Sequence, residues 1–467
     1  MSTAHVVGAG PNGLSAAIAL RHAGWSVTVL ERAETIGGAA RSEAVTLPGF
    51  IHDIGAGVHP FGAASPFFAA LPLSDHGLAW AQPDIPLAHP LDGGRAAVVY
   101  RSLDETVEGL KQDGRVYRRV VGQVVEHWTD LEPFILGPLV QVPRHPIRLG
   151  VFGLTALQPV SWVLRGVRTE EARALFAGLA AHAPMPLDRL TNTAVGAALA
   201  ACAHRGGWPV ARGGSQSIVD SLGSYLISIG GEIVTGMDVT DLTDLDGTVL
   251  FDTGPRAVAR IAGNRLPDRL RQRFATYEHG PGIFKTDFAL AGPMPWESEP
   301  CRRAGTLHIG GSAEEIAAAE RAVWEGHPPE KPFIVAAQPT VADPSRAPEG
   351  RHILWAYCRV PNGSEVDMAD AIERQIERFA PGFRDIVLDR HITTPHQLEQ
   401  WNPNLVGGDI AGGRTDRLRT IIRPRPAVDP YHLADGLYLC SSSAPPGPGV
   451  HGMAGFHAAQ SVLRHAK

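Results

Sequence analysis

The sequence predicts an α/β fold, and three observations carry that prediction. A short apolar strand, His5-Val-Val-Gly8, runs into a helix over Asn12–Ala23 whose inward positions are Leu14, Ala17, Ile18 and Leu20; Gly24 ends it before a second strand, Ser26–Leu30. A later helix over Ser215–Ile229 is stopped by Gly230-Gly231 and followed by strands at Glu232–Val234 and Thr248–Phe251. The chain closes on a strand at Leu437–Cys440, a Pro/Gly loop and a helix over Met453–His465.

At 467 residues the chain exceeds what one core serves comfortably, so two domains are expected. The stretch 45–100 is rich in Gly, Pro and His and shows no long helix, whereas 110–203 reads as mainly helical with prolines at the breaks. Apolar runs at Ile283–Leu290, Phe333–Ala337 and His352–Tyr357 read as strands. The capping box Ser312-Ala-Glu-Glu315 opens one helix among them, and Asp367–Phe379 forms another. The expected division is one domain from 1–100, 204–275 and 411–467, and a second from 101–203 and 276–410. The second combines a mixed sheet with a helical cap.

A net charge of −6 argues against nucleic acid as a partner. The four cysteines form no C-x-x-C, which argues against a redox disulfide or a cysteine-bound zinc. Among 20 histidines there is no H-E-x-x-H, so no metal is expected, and no G-x-S-x-G elbow occurs. No signal peptide and no run of about 18 apolar residues is present, which fits a cytoplasmic protein. One segment allows two readings. From Arg144-His-Pro-Ile-Arg148 through Trp162-Val-Leu164 to Arg165 and Arg168, apolar residues lie between arginines. It is either a peripheral contact with the inner membrane face or a cap helix packed on its own domain.

Gly8-Ala-Gly10-Pro11-Asn12-Gly13 has G-x-G-x-x-G spacing between a strand and a helix, and Glu31 ends the second strand. In that context the glycines turn the chain, admit a pyrophosphate and let helix pack on strand, while helix-start amides face the phosphates. Glu31 would take ribose hydroxyls and repel a 2′-phosphate, so NADP is disfavoured.

Downstream, Glu31-Arg32-Ala-Glu-Thr-Ile-Gly-Gly38-Ala39-Ala-Arg41-Ser resembles the extended signature of the amine oxidase and phytoene desaturase superfamily of flavoproteins. The resemblance implies a discontinuous Rossmann-type domain holding FAD, with Gly38, Ala39 and Arg41 beside its diphosphate; no obvious attachment cysteine or histidine stands beside the flavin motifs, so non-covalent binding is expected. The loop Asp53-Ile-Gly55-Ala56-Gly57-Val-His59 resembles the element that reaches the isoalloxazine ring. Trp208-Pro-Val-Ala-Arg-Gly213-Gly214-Ser-Gln216 resembles the segment entering the third piece of the FAD domain. Val239 stands where relatives clamp the adenine, and Thr253 and Gly254 join the same site. Cys440-Ser-Ser442-Ser-Ala-Pro-Pro-Gly-Pro-Gly449-Val450-His451-Gly452-Met453 resembles the C-terminal flavin motif, although many relatives have glycine where Ser441 stands.

The subgroup most similar is the bacterial phytoene dehydrogenase-like oxidoreductases. That likeness implies hydride exchange between FAD and a carbon–carbon bond of an apolar isoprenoid, polyene or similar lipid-like substrate. Oxygen, a quinone or another redox partner would take the electrons. A flavin amine oxidase and a non-catalytic dinucleotide-binding protein are the alternatives. Lys285 is a candidate to hold a water near the flavin, as a lysine does in amine oxidase relatives; it equally suits a buried ion pair with Asp287 or another carboxylate. His59, His308 and His451 are candidates for acid–base work, or histidines fixed by hydrogen bonds. Asn402-Pro-Asn404 and Gly407-Gly408-Asp409 suit turns or cavity wall. Phe284, Phe288, Leu290, Phe333, Ile334, Trp355 and Tyr357 are the expected apolar cavity side chains.

Overall fold

In a computed structural model, the chain is described over residues 2–143, 145–416, 419 and 422–466. Arg144, named in the candidate membrane segment, lies outside the described residues.

Two sheets organise the molecule. The first has six strands in the order His432–Ala434, Leu437–Leu439, Thr248–Phe251, Thr3–Val7, Ser26–Leu30 and Glu232–Val234. All neighbours are parallel except the edge pair that His432–Ala434 makes with Leu437–Leu439. Its strands come from three separated chain segments, and its inner residues (Ala4, Val6, Val29, Val249, Leu250) are fully buried, as strands covered on both faces require. The helix Pro11–His22 starts with proline at its first position. Its small residues let Met453–His465 cross so closely that a side chain on Gly455 would strike the Asn12 carbonyl.

The second sheet has seven strands: Val387–Thr393, Gly282–Leu290, His352–Val360, Ile334–Ala337, Ala304–Ile309, Ile85–Leu91 and Arg95–Val99. Residues 85–99 therefore pair in the second sheet, so the expected boundary at residue 100 falls on the wrong side of two strands. Pro86 and Pro90 hid the first of them, because proline argues against a strand interior.

Gly282–Leu290 and His352–Val360 pair antiparallel from Gly282↔Val360 to Leu290↔His352. Opposite residues share a face, so Lys285↔Tyr357 and Asp287↔Trp355 present their side chains together. The opposite face holds Phe284 and Phe288 against Ile372, Ile376 and Phe379 of the helix Ala369–Phe379. The expected cavity role of Phe284, Phe288, Leu290 and Ile334 is thus overturned: all four lie in this second core. Phe333 packs on His308 instead. In chain order the helices from Leu103–Gly109 to Asn192–Arg205 follow the strand Arg95–Val99, and Glu170–Ala180 among them packs against Ile85–Leu91 and Arg95–Val99.

Candidate functional site

One cavity of about 800 Å³ runs from the Gly8–Asn12 turn, past residues 55–61, to the helices between 134 and 199. Every predicted cofactor residue lines it except Gly13, Gly452 and Met453. Those three lie behind the wall. The Gly13 amide donates to Asp252 Oδ2 at 2.9 Å, Gly452 packs on Ser15 and Phe68, and the Met453 amide donates to His451 Nδ1 at 3.0 Å.

At the fingerprint end, Glu31 accepts the Ala9 amide on Oε2 and the Ala33 amide on Oε1, each at 2.8 Å. One carboxylate thereby straps the first turn to the end of the second strand. Asp252 sits beneath that turn, where a side chain on Gly10 would come within 2.6 Å of Oδ2. Burial, then the nearby Glu31, push its pKa up to about 8 against hydrogen bonds from Gly13 and Gly10. Asp252 is therefore a neutral carboxyl at neutral pH. It was not among the predicted residues, although an acid directly before Thr253-Gly254 at the end of an inner parallel strand was a readable signal. Arg41 lies 4.3 Å over the Trp401 ring, and Asn404 Oδ1 accepts the Gly254 amide at 2.8 Å. Asn402, Asn404 and Asp409 are cavity wall.

The loop 53–59 is fixed by a buried anchor that sequence reasoning missed. Asp53 Oδ2 accepts from Arg346 at 2.9 Å, and Oδ1 accepts from Ser42 Oγ at 2.6 Å and the Ser215 amide at 2.8 Å. Burial alone would raise the Asp53 pKa; Arg346 and the hydrogen bonds from Ser42 and Ser215 outweigh it and hold the carboxylate below its ordinary value. Behind the loop, Gly57 has no room for a side chain, since a Cβ would stand 2.5 Å from Trp355 Nε1. The cavity wall there is bare backbone against an indole.

The three candidate catalytic side chains all line the cavity, each already engaged. His59 Nε2 lies 2.7 Å from Ser215 Oγ, whose hydroxyl donates to the Ala56 carbonyl, which places the proton on Nε2. His451 Nδ1 accepts the Met453 amide. Burial lowers both imidazoles to about 4, so they are neutral structural groups at neutral pH. Lys285 Nζ donates to Asp287 Oδ2 and stands 6.0 Å over the Trp355 ring. His308 is buried beside His182, with Nε2 atoms 2.8 Å apart, and faces His89. Burial keeps the trio uncharged, and among the described residues no metal-ligand cluster forms.

Beyond the loop the lining turns apolar. Residues 134–199 contribute no Asp, Glu, Lys or Arg to the cavity among the described residues. The strand His352–Val360 adds Trp355 and Tyr357, stacked at 12° with centroids 5.8 Å apart, and then Arg359, paired with Glu320 at 2.9 Å.

Comparison with known proteins agrees with this geometry. The family described as NAD(P)-binding Rossmann-like domain matches residues 6–71. The chain is 26% identical to pyridine nucleotide-disulfide oxidoreductase domain-containing protein 2 of Rattus norvegicus over 99% of its own length and 93% of that protein's. A solved structure of putrescine oxidase bound to putrescine superposes with a TM-score of 0.63 at 17% identity, covering 100% of this chain and 99% of that one. At that identity the likeness shows the fold alone: a Rossmann-like dinucleotide-binding sheet joined to a second mixed sheet. A 4,4′-diapolycopen-4-al dehydrogenase of Metabacillus indicus is 31% identical over 132 residues, 26% of each chain. Within the first sheet and its connections, the family match covers the Gly8–Gly13 turn, the helix Pro11–His22 and the strand Ser26–Leu30, and the other strands from 232 to 439 lie outside it.

Proposed function

We propose that the chain binds FAD non-covalently and exchanges a hydride between it and a carbon–carbon bond of an apolar, unsaturated substrate. The observation that carries this reading is the single cavity with two chemically different ends, one built like a dinucleotide site and the other apolar.

The first end suits a dinucleotide. Asn12 Oδ1 and Thr253 Oγ1 are buried polar atoms without partners, in residues that line the cavity. Glu31 supplies acceptors, and the start of the Pro11–His22 helix supplies amide protons and a positive dipole end. A neutral Asp252 beneath the turn does not repel a phosphate. When bound, FAD supplies the hydride chemistry, so the protein needs to position a substrate and exclude water rather than furnish an acid–base dyad.

The second end suits an apolar substrate. Residues 134–199 bind by burying apolar area, and the wall offers no carboxylate in that stretch to pair with an ammonium group. Trp355 and Tyr357 do not form a slot for an amine: parallel rings need a gap of about 7 Å to hold a group between them, and these are 5.8 Å apart on one strand. Both rings instead add apolar aromatic area to the cavity wall. The polyene aldehyde in the name of the partial relative supports the same class.

The test is anaerobic mixing of the oxidised enzyme with polyenes, amines and hydroxy compounds, and of the reduced enzyme with the same polyenes. Flavin bleaching or reoxidation by apolar alkenes is the expected result. Bleaching by amines alone would replace this reading with C–N oxidation, and absence of flavin bands from purified protein would overturn it.

A further inference from the structure

The helix Pro146–Ala156 has two working faces. Leu149, Phe152 and Ala156 line the cavity, whereas Ile147 and Leu154 on its other side are 82% and 74% exposed. It meets the segment Val160–Gly166, which carries the exposed Trp162, at a bend of 84°. Among the described residues, eight of the fifteen exposed large apolar side chains fall between Leu139 and Trp162. A concentration of this kind on one face marks an interaction surface rather than ordinary surface scatter.

Charge and length say what covers it. Residues 133–169 contain no Asp or Glu but four arginines, in a chain whose net charge is −6. Arg148 is paired with Asp130, while Arg165 and Arg168 are exposed. Exposed apolar side chains beside a purely basic local composition match an anionic lipid surface. An eleven-residue helix is about 16 Å long, half the hydrocarbon thickness, so it enters one leaflet and does not span. No single helix among the described residues is long and apolar enough to cross a membrane.

The decisive relation is between this face and the cavity. Leu139 and Leu157 both line the cavity and are 40% and 48% exposed, so they form its rim within the apolar patch. We propose that this face docks on anionic bilayers and that the cavity opens onto the lipid phase, so that an apolar substrate passes from the leaflet to the redox site without crossing water. The docking is independent of the reaction proposed above; only the substrate route rests on it.

Co-flotation of the full chain with vesicles of phosphatidylcholine, alone and with phosphatidylserine added, tests the docking. The protein is expected to float with the anionic vesicles, and Ile147→Asp/Leu154→Asp to cut the bound fraction about tenfold or more. Arg165→Glu/Arg168→Glu should remove the dependence on phosphatidylserine. Both pairs are exposed, so unchanged melting temperatures show that the fold is intact. Bromine-labelled lipid should quench Trp162, with Trp162→Phe as the reference. No flotation with either vesicle would overturn the proposal. So would equal flotation of the aspartate variant, or a dimer in ultracentrifugation that this variant abolishes, which would give the face to a second copy. Flotation without any flavin response to vesicle-borne polyenes would leave the docking standing and sink the reaction alone.

Discussion

The carboxyl of Asp252 accepts the Gly13 amide proton at 2.9 Å across 239 residues of sequence. It closes the start of the Pro11–His22 helix from the neighbouring strand, in place of a capping side chain that Gly10 cannot offer. Its folded pKa of about 8 lies above its ordinary value of 3.8, mainly through burial. The folded state thus holds a proton that the unfolded state releases, and stability falls as pH rises from about 4 to about 8, then levels off. Asp252→Asn keeps an acceptor and removes the titration. Its stability relative to wild type should rise by about 4 kcal/mol between pH 5 and pH 9. Denaturant unfolding of both proteins checks this; parallel curves would mean that Asp252 ionises normally.

Cofactor affinity should share that dependence. A charged Asp252 beneath a phosphate-binding turn opposes the ligand, so FAD affinity is expected to fall as pH passes about 8 in wild type but not in Asp252→Asn. Flavin release followed by fluorescence reports it, and identical profiles would remove Asp252 from the site.

Glu31 is expected to act on both fold and ligand, because it already accepts two backbone amides. Glu31→Ala should weaken FAD binding by about 1–3 kcal/mol and lower the melting temperature of the apoprotein. Glu31→Gln, which keeps one acceptor oxygen, should lose less. Equal flavin affinity in all three proteins would exclude a ribose contact.

Local pattern made the first sheet readable: the strand–turn–helix around Gly8–Gly13, Glu31 at a strand end, and a terminal helix all signal themselves within about twenty residues. The groups that fix the site do not. Asp53 finds Arg346 across 293 residues, and Arg359 finds Glu320 from another element. Such pairs depend on the packed fold, which one sequence does not display. Alternation along Gly282–Leu290 showed that two faces exist but not which one meets the cavity, so Phe284 and Phe288 were assigned to the cavity together with Lys285, Trp355 and Tyr357, although they lie on the opposite face.

Gly452 shows the same displacement from ligand to packing. Its φ is +69°, and a Cβ there would collide with Ser15 on the Pro11–His22 helix and with Phe68. Gly452→Val should therefore destabilise the apoprotein by about 2 kcal/mol or more through strain and overpacking, and weaken FAD binding by shifting that helix. A variant with native apoprotein stability that had lost FAD would instead place Gly452 at the flavin.

Lys285 and Asp287 give the sharpest separation of structure from chemistry. The two side chains are nearly inaccessible, and the ammonium donates to the carboxylate within the face shared with Trp355 and Tyr357. Burial alone would raise the Asp287 pKa; Lys285, with His52 at 3.5 Å, outweighs it and holds the carboxylate below its ordinary value. Removing one partner strands the other. Lys285→Met should destabilise by about 3–5 kcal/mol, while Lys285→Met/Asp287→Asn should recover part of that loss. The coupling energy from the two single variants and the double one, measured by denaturant unfolding, is expected to exceed about 1 kcal/mol. Negligible coupling with native stability in Lys285→Met, joined to a large fall in flavin reduction rate, would show that the lysine serves the reaction rather than the fold.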